Sequence, residues 1–190
     1  MSAEKFLKSY LSDFVQLLDS HRDIISDLVR VRDAILSCSE KKGKTIIVGN
    51  GGSSAMASHF SVDLTKNAGI RCVNFNEPDL ITCFANDYGF EQWVGKAVEF
   101  YGDEGDVFIT ISSSGSSENI LNGCKAARAK NFSSVITFSG FDANNPLRRL
   151  GDMNIWVDSK AYNFVENIHQ VWLLAIVDLI IGNREYSAQD

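Results

Sequence analysis

No surplus of positive charge marks this chain of 190 residues: 24 acidic side chains outnumber 18 lysines and arginines, for a formal net charge of −6. That balance disfavours nonspecific attraction to nucleic acid or to an anionic membrane, since both need a basic surface. Neither is expected as a partner. The four cysteines, Cys38, Cys72, Cys83 and Cys124, form no CxxC pair and no metal-ligand spacing. Cys72 and Cys83 sit in apolar surroundings and read as buried thiols. The opening MSAEKFLKSYLSDF is charged throughout and lacks the apolar core of a signal peptide. A cytoplasmic protein with reduced thiols is the expectation. Low-complexity segments and nucleotide loops of the GxxxxGK[ST] type are also missing.

What is present belongs to an ordinary soluble globular chain, 45 % hydrophobic and 22 % charged. Its length fits one domain, 1–190, with room for a proper core. Residues 4–38 repeat apolar side chains at helical spacing, first Phe6, Leu7, Tyr10, Leu11, Phe14, Leu17 and Leu18, then Ile24 to Ile35 after Ser20-His21-Arg22. With no strand among them, residues 1–40 form a helical arm ahead of the rest.

Beyond KKGK at 41–44, short apolar runs alternate with helical segments. The spacing predicts strands over 45–48, 71–75, 106–111, 133–138 and 154–157, and helices over 54–66, 79–86, 90–101, 117–130 and 145–150. Such alternation requires right-handed crossovers and a parallel sheet covered on both faces. Five strands are too few for a closed eight-stranded barrel, so the fold class is α/β, an open doubly wound sheet flanked by helices. The last helix, 162–181, contains VWLLAIVDLII, apolar almost all round. Glu166, Asn167, His169 and Gln170 in its first half leave too short an apolar run to span a bilayer, so burial and a subunit interface are expected instead.

Two loops follow predicted strands: Gly49-Asn50-Gly51-Gly52-Ser53-Ser54, and Ser112-Ser113-Ser114-Gly115-Ser116-Ser117. Ligands of parallel sheets bind beyond the carboxyl ends of the strands. Glycine admits close backbone approach, serine supplies donors, and the helix that follows adds unpaired N–H groups with a partial positive charge. One serine is enough to cap a helix; five in six positions are not explained by capping. Neither loop is a dinucleotide fingerprint, because GNGGSS lacks the third glycine at the required offset. A small phosphorylated molecule is the indicated ligand.

GNGGSSAMASHF, ANDYGF, GDVFITISSSGSSENIL and ENIH together resemble the sugar isomerase (SIS) domain family, in particular its phosphoheptose isomerase branch. The resemblance implies a five-stranded parallel sheet in a homotetramer whose helical arm serves assembly. It also implies conversion of sedoheptulose 7-phosphate to D-glycero-D-manno-heptose 7-phosphate for surface polysaccharide synthesis, often with zinc. Ser112, Ser114 and Ser117 match the family's phosphate-holding serines, with Ser113 in the same loop. Asn50, Gly51 and Gly52 match residues lining the sugar, and Asn86 and Asp87 match a second sugar-contacting pair, although by themselves they read as a polar turn.

Isomerisation needs a base for the proton beside the carbonyl, and a group or metal for the enediolate oxygen. The family uses a histidine and glutamate one turn apart, then a glutamine and a second histidine two turns apart. Here those positions hold His59, Asp63, Glu166 and Leu174. Leucine neither transfers a proton nor binds metal. His59, Asp63 and Glu166 remain, as a rearranged acid–base set with Glu166 as catalytic carboxylate, or as three zinc ligands. His169, one turn after Glu166, reads as a packing histidine. The alternative is a phosphosugar-binding or regulatory protein of the same fold without catalysis.

Overall fold

The computed structural model describes residues 1–186, so the last four residues of the expected 1–190 domain lie outside it. Among the described residues, five parallel strands lie in the order β2-β1-β3-β4-β5, with seven α-helices around them. The strands are β1 Thr45–Gly49, β2 Cys72–Val73, β3 Val107–Ser112, β4 Ser134–Ser139 and β5 Met153–Trp156. The helices are α1 Ala3–Asp19, α2 Ile25–Glu40, α3 Gly52–Lys66, α4 Pro78–Tyr88, α5 Trp93–Tyr101, α6 Glu118–Ala129 and α7 Tyr162–Ile181.

Side-chain alternation along the strands divides the interior into two cores. Ile47, Val107, Ile109, Ile111, Ile136 and Phe138 face α2, α3 and α7, packing with Phe60, Ile168 and Trp172. Ile46, Val48, Phe108 and Val135 face the other way, against Trp93, Val98, Ile120 and Cys124 of α5 and α6. Strands buried on both faces read as continuous apolar runs, and β1, β3 and β4 are buried along their whole length.

The predicted strands agree with these to within a residue or so, except β2. It keeps only two residues because Asn74 leaves the ladder, its amide donating to Ser61 Oγ at 2.8 Å. The helix expected over 145–150 is a short 3-10 turn, Pro146–Arg149, with Asn145 as its cap accepting from Arg148 N at 3.2 Å. Cys72 is buried as expected, but Cys83 is exposed, because it falls on the outer side of α4.

The arm packs on the core through Phe14, Leu17, Val31 and Ile35, and a histidine adds polar bonds. His21, between α1 and α2, bonds Leu17 O through Nδ1 at 2.8 Å and accepts Asp158 N on Nε2 at 3.0 Å. Helix α7 is long and apolar enough to cross a membrane by composition, yet it packs on α2 and α3. At its centre His169 is fully buried, donating Nε2–H to Ser139 O at 3.1 Å and set edge-on to Phe138. Desolvation lowers its pKa from 6.5 to about 4, with the Ser139 carbonyl pulling weakly the other way.

Above pH 6.5 this imidazole is neutral whether the chain is folded or not. As pH falls toward 4 the unfolded chain takes up a proton that the folded one refuses, so stability declines by about 3 kcal/mol across that window. Urea titrations at intervals from pH 7 to 4 will show this loss, and the His169→Gln variant will show a flatter profile.

Candidate active site

Strand order reverses at one place. From β1 the chain crosses to β2 on one side and later returns to β3 on the other, so the loops leaving β1 and β3 diverge and leave a crevice. Gly49 pairs with Ile111 in the register, which sets the two loops side by side. A cleft of about 140 Å³ opens there, walled by Asn50 and Ser53 from the first loop and Ser112, Ser113, Ser114 and Ser117 from the second. Tyr162 and Glu166 close it from α7.

Each loop delivers a helix N-terminus without blocking it. Gly51 precedes α3 with φ +55°, a left-handed conformation suited to glycine, and has no side chain to cap with. Ser117 precedes α6 in extended conformation, but its hydroxyl is 3.3 Å from that of Ser112 rather than on the helix. Gly115, at φ +65°, folds the serine loop back so that its N–H donates to Ser112 O at 2.9 Å. A side chain there would strike Asn145. Ser113 Oγ is buried without a partner among the described residues. Two helix ends without side-chain caps and a set of serine hydroxyls face one volume with no lysine or arginine on its walls. Such a site suits a phosphate.

The two loops are tied together by an amide pair. Asn50 Nδ2 donates to Asn119 Oδ1 at 3.0 Å, and Asn119 Nδ2 returns the bond at 2.8 Å. Asn119, buried in the first turn of α6, was not singled out from sequence. Its signal was its place two residues beyond the serines.

Glu166 lies against the start of α3. A Cβ on Gly52 would fall 2.6 Å from Glu166 Oε2 and 2.8 Å from Oε1, so glycine is what admits the carboxylate to the positive helix end. His59 and Asp63 are placed elsewhere. His59 Nε2 contacts Asp63 Oδ2 at 3.2 Å, and His59 Nδ1 contacts Gln170 Nε2 at 3.2 Å. Asp63 Oδ1 in turn accepts from Asn67 at 3.2 Å. Gln170, one turn past Glu166 on α7, carries no motif in the sequence, and only the fold sets it against His59. Asn86 and Asp87 are exposed in the last turn of α4, bonded to each other at 2.9 Å and outside the cleft.

The expected three-ligand metal centre does not assemble. Among the described residues no group of three His, Cys, Asp or Glu side chains converges as metal ligands. Both ring nitrogens of His59 are engaged by side chains, Glu166 points to Gly52, and Leu174 offers no donor. This donor set does not fit catalytic zinc, which needs three side chains converging on one point with a fourth position open.

An open parallel sheet with this order and a crevice at its switch point defines a doubly wound class that binds ligands beyond the strand ends, and the chain belongs to the SIS domain family, whose profile matches residues 9–140. It is similar to the phosphoheptose isomerase of Cytophaga hutchinsonii, 34 % identical over 176 residues that cover 90 % of this chain and 88 % of that one. To the phosphoheptose isomerase of Fusobacterium nucleatum it is 34 % identical over 154 residues, 78 % of each. The solved phosphoheptose isomerase from Francisella tularensis superposes with a TM-score of 0.88 at 26 % identity, over 95 % of this chain and 98 % of that one.

Crystals grown with sulfate or a sugar phosphate will show the anion bonded to Ser112, Ser114 or Ser117. An anion seated only elsewhere, with this loop empty, overturns the assignment of the loop.

Proposed function

We propose that this chain is an aldose–ketose isomerase acting on sedoheptulose 7-phosphate in the cytoplasm, and that it supplies heptose phosphate for lipopolysaccharide or capsule synthesis. The observation that carries the proposal is the shared cleft: a carboxylate, Glu166, faces the same volume as a serine loop at an open helix end. Similarity to phosphoheptose isomerases over most of the chain supports the choice of sugar.

In this reading the phosphate rests on Ser112, Ser114, Ser117 and the α6 N-terminus, and the carbonyl end reaches Glu166. The Glu166 carboxylate removes a proton from C1. The C1–H electron pair forms the C1=C2 double bond while the C2 carbonyl oxygen takes up charge, and the N-terminus of α3 stabilises that charge. Glu166 then returns the proton to C2, a proton passes between the two oxygens, and the aldose results. Asp63 and His59 take supporting roles on α3, joined to α7 through Gln170, and Asn50, Gly51 and Gly52 contact the sugar. No step requires zinc, in keeping with the donor set.

Incubation with sedoheptulose 7-phosphate will yield an aldose phosphate, equally with zinc and with a chelator. Glu166→Gln, which changes charge and hardly changes shape, will lower turnover by about a hundredfold or more. If Glu166→Gln keeps full activity while Asp63→Asn abolishes it, Asp63 is the base. Leu174 favours the second reading, a binding protein, and that reading prevails if the chain binds the sugar phosphate without turning it over.

The arm supports a homotetramer. No residue of α1 is buried, and Phe6, Leu7, Leu11 and Val15 are each more than half exposed. Val62 on α3 and Val171 on α7 add to the apolar surface. Patches of this size mark interfaces, and closed symmetry is the common way to bury them. Sedimentation will give a tetramer, reduced to smaller species by Leu11→Glu with Val15→Glu. A soluble monomer at micromolar concentration refutes it.

A further inference from the structure

Tyr162 is the first residue of α7 and lines the cleft one turn before Glu166, on the same face of the helix. It is 57 % exposed, unlike the buried Ser112 and Ser113 across the cleft. Its ring is nonetheless held in place. Phe141 meets it edge to face, ring centroids 4.7 Å apart at 75°.

Phe141 itself is fixed with unusual firmness. Its φ is +57°, in the left-handed region that a bulky residue seldom occupies, and such conformations persist only where the surroundings impose them. The surroundings here are two backbone bonds. Phe141 N donates to Ser159 O at 2.9 Å, and the preceding Gly140 N donates to Ser113 O at 2.9 Å. Gly140 also permits close packing of α7, since a Cβ there would fall 2.8 Å from the methyls of Val165. The strained turn therefore spans from the serine loop to the Tyr162 ring.

We infer that Tyr162 is a specificity-determining residue whose ring forms an aromatic wall along the carbon chain of the bound phosphosugar, between the phosphate on the serines and the carboxylate of Glu166. The inference rests on the phosphosugar reading given above. A cleft of about 140 Å³ is small beside the 300 Å³ or more usual for ligand sites. Most of a sugar phosphate must extend out of it, and Tyr162 stands at that opening. An open-chain sugar presents C–H groups as well as hydroxyls, and an aromatic face complements the C–H groups.

Because the ring touches the chain away from the reacting carbons, it contributes equally to substrate and transition state. Its removal raises KM and leaves kcat nearly unchanged. The experiment compares wild type, Tyr162→Phe and Tyr162→Ala for kcat, for KM toward sedoheptulose 7-phosphate, and for inhibition by inorganic phosphate. Tyr162→Ala is expected to raise KM by about tenfold, with kcat within about twofold and the inorganic phosphate constant unchanged, while Tyr162→Phe behaves as wild type. An unchanged KM in Tyr162→Ala overturns the inference, and so does a phosphate constant that rises in step with KM. A Tyr162→Phe variant as weak as Tyr162→Ala also overturns it, by placing recognition on the hydroxyl. A wild-type chain that neither binds nor converts any phosphosugar overturns the reading of the cleft instead, and the inference with it.

Discussion

The reversal of strand order between β1 and β3 is the constraint on which the rest depends. Had both crossovers left on the same side, a connection would cover the strand ends and the two loops would have no common space. With the reversal, two helices start from adjacent strands with their unpaired N–H groups converging. The Asn50–Asn119 pair holds that convergence with two side-chain bonds across the crevice. Everything polar in the cleft is arranged around positive backbone ends, so a protein of net charge −6 forms an anion-binding geometry without spending a basic side chain on it.

Much of the sheet was legible because parallel strands buried on two faces leave unmistakable apolar runs. TIIVG, VFITIS and SVITFS are of that kind, and each emerged within about a residue of its expected limits. The edge was not legible, because RCVNF has strand composition and nothing in it announces that Asn74 prefers Ser61 to a neighbouring strand. Residues 145–150 failed for a similar reason. Asn145 spends its amide on Ser139, Gly140 and Asp142, and a four-residue turn suffices around it. The serine loop was readable by type and spacing, and Glu166 through the family resemblance. Asn119, Tyr162 and Gln170 were not, because their roles come from what the fold sets opposite them.

The same limit explains the metal centre. Histidine and carboxylate one turn apart on α3 suggest a ligand pair, and a second carboxylate on α7 suggests completion. Distance along a sequence cannot say which way Glu166 turns, and it turns to the glycine at the start of α3. His59 instead joins a hydrogen-bonded series from Gln170 through Asp63 to Asn67. Acidic side chains that looked like one set occupy two separate environments.

The contact between Gly52 and Glu166 has an evolutionary side. Any residue larger than glycine at 52 would occupy the space the carboxylate now fills, so the two positions are not free to vary independently. Alanine at 52 would push the flexible end of Glu166 away from the start of α3, so the position of the carboxylate depends on the residue at 52. Substitutions at the pair are therefore coupled in their effect on where that charge lies.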